Sequence, residues 1–106
     1  RVGLARALVL NPKIILFDEP TSALDPVISL TILDLIKQTQ TSLKKTYLVI
    51  SHDILGMFRI ADRIAMLYEG KIIEYGTPDD IKKSTNKVTK EFLEATKIPG
   101  LTGGDV

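Results

Sequence analysis

Two short apolar runs constrain the fold of this chain more than any other feature. Residues 13–17, "KIILF", and residues 46–50, "TYLVI", are continuous, rich in β-branched side chains and short. Such runs are expected of buried strands in a parallel sheet that is covered on both faces. Between them, Asp25 stands where an N-cap is needed and Pro26 at the first helical position. The helix they open carries Ile28, Ile32, Leu35 and Ile36 on one predicted face, with its end expected near Gln40 and the polar "TSLKK" beyond. Strand, helix, strand in this order implies a right-handed parallel crossover.

The flanking segments add smaller elements. Leu4, Ala5, Leu8 and Val9 recur at helical spacing until Asn11 and Pro12 stop the pattern. Arg6 interrupts that apolar stretch, no small-residue cleavage site follows and there is no initiator Met, so it reads as a helix of something longer rather than a signal peptide. After the second strand, "SHD" leads into a helix with Ile54, Phe58 and Ala61. "RIAMLY" and "KIIEY" are separated only by Glu69 and Gly70, which predicts an antiparallel β-ribbon whose Ile64, Met66, Ile72 and Ile73 are core. In "GTPDDI", Thr77 is the cap and Pro78 the first position of a short helix, with Asp79 and Asp80 at its positive end. "NKVTKEFLEATK" predicts a last amphipathic helix with Val88, Phe92 and Ala95 on one side. Residues 99–106, "PGLTGGDV", are expected to be a flexible tail to a part-domain spanning 1–98.

Composition removes several kinds of function. With 14 Lys and Arg against 13 Asp and Glu, interspersed along the chain, there is no basic footprint for nucleic acid. The absence of cysteine excludes disulfides, thiolate metal sites and cysteine nucleophiles, and no apolar run is long enough to span a bilayer. A hydrophobic content of 44% in 106 residues is enough for a modest core.

The chemistry collects where the two parallel strands end. Ligands of an open parallel sheet bind at the carboxyl ends of its strands. Asp18 and Glu19 follow the first run, and His52, the only histidine, follows the second. An apolar strand ending in Asp-Glu is the pattern of a Walker B element, in which the first acid serves Mg²⁺ and the second a water molecule. Pro20 makes simple helix capping by these acids a poorer reading, because the helix begins only later. An imidazole at the same edge can bond a γ-phosphate or the attacking water, and a histidine-rich metal site is excluded by its solitude.

Taken together, "LARALVLNPKIILFDEPTSALDP" and "LVISHD" closely resemble the C-terminal half of the nucleotide-binding domain of ATP-binding-cassette (ABC) ATPases. "RVGLARAL" looks like the helix after the family's LSGGQ signature, "ILFDEP" like the Walker B, "SALD" like the D-loop and "SH" like the H-loop. The resemblance implies an α/β fold, a partial P-loop NTPase core of parallel strands and crossover helix followed by an antiparallel β-ribbon and C-terminal helices. It also implies ATP and Mg²⁺ as cofactors. Asp18 would contribute to the Mg²⁺ site, Glu19 would be the catalytic carboxylate, and His52 would contact the γ-phosphate. Ser22 and Asp25 would belong to the loop that crosses to a second ATPase subunit in a homodimer. The implied setting is beneath membrane permease subunits, on the inner face of a bacterial inner membrane.

The second half narrows the resemblance. "FRIADRIAMLYEGKII" and the later "EFL" are similar to the ATPase subunits of Mla-type phospholipid transporters, which would add an MCE-domain protein to the partners. Importers of amino acids or other small solutes share the "ADRI" and "GTP" wording, whereas non-transport ABC proteins acting on DNA or ribosomes fit it less well. No G-x-x-x-x-G-K-[ST] occurs in the 106 residues, nor the Q-loop or the signature itself. These residues alone are therefore expected neither to bind ATP usefully nor to hydrolyse it.

Overall fold

The computed structural model describes residues 12–96. The helix expected around Leu4 to Val9 and the tail expected at 99–106 lie outside them. The chain divides into two compact units, with the boundary between Gly56 and Met57.

The first unit holds β1 (Ile14–Asp18), α1 (Pro26–Leu43), β2 (Thr46–Ile50) and the start of α2 (Ile54–Ile60). β1 and β2 pair in parallel, from Ile14 opposite Thr46 to Asp18 opposite Ile50. The ladder runs on at both ends, through Thr46 N–H to the Lys13 carbonyl at 3.1 Å and Glu19 N–H to the Ile50 carbonyl at 2.7 Å. Asp25 caps α1 as expected, its Oδ1 accepting from Ile28 N–H at 3.0 Å, and Pro26 takes the first position.

Two expectations for this unit are corrected. α1 runs on to Leu43, because Lys44 adopts the left-handed conformation (φ 54°, ψ 43°) and its N–H satisfies the Gln40 carbonyl, a helix ending that polarity alone does not reveal. Of its predicted face Ile36 is buried and Ile32 and Leu35 are half-buried, but Ile28 is exposed and the unpredicted Leu33 is fully buried, so the seam is rotated part of the way from the predicted one. Among the described residues, one face of the sheet is left uncovered. Ile15 is buried, yet Ile14 and Leu16 on β1 and Leu48 and Ile50 on β2 are 50–66% exposed. Alternate residues of a strand point to opposite faces, so these four form one uncovered apolar face.

The covered face carries Phe17 and Tyr47, whose rings tilt together at 5.0 Å between centroids. Thr39 of α1 lies 2.9 Å from the Tyr47 hydroxyl. Because the single Thr39 hydroxyl proton goes to the Ile36 carbonyl, Tyr47 is the donor in that pair and ties α1 to β2.

The second unit contains β3 (Ile64–Tyr68), β4 (Lys71–Gly76), α3 (Pro78–Lys82) and α4 (Lys87–Ala95). The ribbon is antiparallel, and its two turn residues, Glu69 at φ 48° and Gly70 at φ 76°, have the positive angles of a tight hairpin turn. An irregularity between Met66 and Leu67 shifts the register, so Ile72 pairs with Leu67. This corrects the predicted core: Met66 is buried, but Ile72 is 64% exposed, because the extra residue puts it on the outer face.

The turn into α3 is built from a full capping box. Asp80 N–H bonds the Thr77 hydroxyl at 3.1 Å, and Thr77 N–H bonds the Asp80 carboxylate at 3.0 Å. Gly76 is required for this, since a Cβ there would fall 2.8 Å from the Asp80 side chain. The bond from the Thr77 backbone, then that from its side chain, holds the Asp80 carboxyl below its ordinary value of 3.8. A depressed folded value means that this contribution is present above the ordinary range and is lost as pH falls through the lowered one.

Ser84 links ribbon and last helix, its hydroxyl donating to the Glu74 carboxylate and accepting from Asn86 N–H at 3.0 Å, while Asn86 caps α4. On α4 the buried residue is Thr89, whereas the predicted Ala95 is exposed. Thr89 Oγ1 is buried without a hydrogen-bond partner among the described residues. Thr89→Val keeps the shape and removes the unmet hydroxyl, so it is expected to raise stability by about 1 kcal/mol. A urea midpoint that falls would show that the hydroxyl is satisfied in solution.

Candidate active site

Glu19 leaves β1 in a conformation that few non-glycine residues adopt. Its N–H still belongs to the parallel ladder, but its φ of 51° turns the chain out of the sheet at once. The next turns close through Ser22 N–H to the Glu19 carbonyl and Leu24 N–H to the Thr21 carbonyl, with Ala23 also at positive φ (64°). Two such residues within five positions hold strain of about 1–3 kcal/mol each, which the anchored ends of the loop sustain. Those anchors are the ladder bond of Glu19 on one side and the Asp25 cap on the other, with Thr21 buried between them.

β2 delivers the partner. Beyond Ile50, His52 directs Nδ1 at Glu19 Oε1, 2.5 Å away. A carboxylate only accepts, so the proton lies on Nδ1, and Nε2 is left to face outward. The His52 side chain is 98% exposed and that of Glu19 29%, so the pair sits at an open edge. Glu19 keeps further lone-pair sites with which to accept from a water molecule.

Of the residues singled out in the sequence, Glu19 and His52 are brought into direct contact. Asp18 ends β1 next to them, exposed, opposite Ile50. Among the described residues no group of three or more His, Cys, Asp or Glu side chains is arranged to hold a metal ion. A single hard carboxylate oxygen at a strand end still fits Mg²⁺, which is commonly held by one or two carboxylates together with substrate phosphates and water. Ser22 and Asp25 are exposed in the loop.

Sequence reasoning passed over Asp53. Its Oδ1 accepts from Gly56 N–H at 2.9 Å, and its own N–H bonds the Ser51 hydroxyl at 3.0 Å. An Asp immediately before the predicted helix was the available signal.

No protein-family model matches the chain. It is 42% identical over 99 residues to the glycine betaine/proline betaine transport system ATP-binding protein ProV of Escherichia coli, covering 92% of this chain and 25% of that protein. It is 42% identical over 97 residues to the methionine import ATP-binding protein MetN of Haemophilus ducreyi, covering 91% and 28% respectively. Among solved structures, cbiO1 from Clostridium perfringens, part of the ABC transporter complex cbiONQ, superposes with a TM-score of 0.73 at 29% identity, over 97% of this chain and 39% of that one. The α/β fold therefore resembles part of an ABC ATPase. More particularly, the chain is similar to the C-terminal region of ATP-binding subunits of ABC transporters, and it spans about a quarter of the length of the curated relatives it matches.

Proposed function

We propose that the chain is the hydrolytic part of an ATP-binding subunit that energises an ABC transporter, with residues 1–98 in the ATPase domain and 99–106 a tail. The contact that carries this reading is Glu19 with His52 at the carboxyl ends of two parallel strands. Bound Mg²⁺ would neutralise phosphate charge, with Asp18 as its protein ligand. Glu19 would accept the proton of the attacking water, while His52 would hold Glu19 through Nδ1–H and, with a second proton on Nε2, would donate to the γ-phosphate. Ser22 and Asp25 would face a second copy of the subunit, and permease subunits would couple closure of that pair to transport at the inner face of a bacterial inner membrane.

For the cargo, we propose phospholipid, with an MCE-domain protein among the partners; residues 58–73 and 91–93 support this by their wording. The second reading is small-solute import, favoured by the betaine, methionine and oligopeptide transport named for the relatives. Co-purification of the full-length protein with its permease decides between them, according to whether an MCE-domain protein or a solute-binding protein comes with it.

The ATPase itself is tested by His52→Ala in the full-length protein. Turnover is expected to fall about a hundredfold or more. Unchanged steady-state hydrolysis would remove His52 from the site.

A further inference from the structure

An imidazole that is 98% exposed is not oriented by side-chain packing. What directs His52 toward Glu19 is therefore the backbone on either side of it. On one side, the Ile50 carbonyl accepts from the N–H of Glu19 itself, so strand end and acid are tied to each other. On the other side, Asp53 is fastened twice, by its N–H to the Ser51 hydroxyl across His52 and by its carboxylate to Gly56 N–H. Gly56 is buried, and the space of its missing Cβ is taken by Asp53: a Cβ there would lie 2.4 Å from Asp53 Oδ2 and 2.8 Å from Leu33 Cδ1.

We propose that Asp53, seated against the bare backbone of Gly56, is the positioning residue that aims His52 at Glu19. Asp53 touches neither reacting atom. It fixes the peptide that follows His52, and Gly56 in turn fixes Asp53. The consequence for hydrolysis rests on the reading of Glu19 and His52 as the hydrolytic pair. The geometry predicts that disturbing the clamp from either side has one result, because Asp53→Ala removes the carboxylate and Gly56→Ala pushes it out of its seat.

The test uses the full-length protein and four variants beside the wild type, read by kcat and KM for MgATP and by thermal midpoint. Asp53→Ala and Gly56→Ala are each expected to lower kcat about tenfold to a hundredfold, as small misplacements of catalytic groups do, with KM within about twofold. Asp53→Asn retains a side-chain oxygen for Gly56 N–H and is expected to recover most of the rate lost in Asp53→Ala. His52→Ala is the reference. If His52→Ala leaves turnover intact, the hydrolytic reading fails. If His52→Ala abolishes turnover while Asp53→Ala lowers the thermal midpoint without changing kcat per folded enzyme, Asp53 only caps α2 and the positioning role is overturned. Failure of Asp53→Asn to recover rate would overturn it equally.

Discussion

Glu19→Gln in the full-length protein leaves MgATP binding in place and lowers turnover by about two to four orders of magnitude. That range is what a positioned general base contributes. The amide keeps the size of the carboxylate and can still accept from His52 Nδ1, so the 2.5 Å contact has a ready substitute. What it lacks is a basic oxygen for the water proton. The left-handed turn at Glu19 and the ladder bond of its N–H are backbone features that the substitution leaves alone. Loss of rate without loss of folding or affinity is therefore the expected signature, read by steady-state hydrolysis beside calorimetric titration with MgATP. Near-normal turnover would take Glu19 out of its role.

The second large effect concerns the bare face of the parallel sheet. Ile14, Leu16, Leu48 and Ile50 are contiguous and half or more exposed. The chain spans about a quarter of its curated relatives, and we expect that face to be interior in the full-length protein. Leu16→Asp would then place a charge in a core and cost about 3 kcal/mol or more, lowering the thermal midpoint by many degrees or abolishing soluble expression. An unchanged midpoint would show that water covers this face in the whole protein too.

Much of the architecture was legible because it is written in local chemistry. Asp25-Pro26, Glu69-Gly70 and Thr77-Pro78 each specify a backbone event within a few residues, and each occurs where expected. The errors arose where a pattern depends on something distant or on one irregular residue. On the α1 seam Ile36 was legible but Leu33 was not, because several apolar stripes are available on that helix and only packing chooses between them. Ile72 was misassigned because a register shift changes which face a strand presents, and no residue type announces that shift at Met66. For the site, the strand ends indicated that Glu19 and His52 share an edge. Their contact depends on positive φ at an ordinary glutamate and on a glycine three residues beyond Asp53, neither of which polarity or spacing reveals.

The bond from Glu19 N–H to the Ile50 carbonyl makes the acid the last rung of the ladder rather than an appendage to it. Strands advance about 3.3 Å per residue, and a slip by one residue also reverses every side chain. A misaligned β1 would carry Glu19 away from His52 by more than the length of their hydrogen bond. Alignment of the two strands and assembly of the pair are thus geometrically linked: a sheet closed out of register would not bring Glu19 and His52 together.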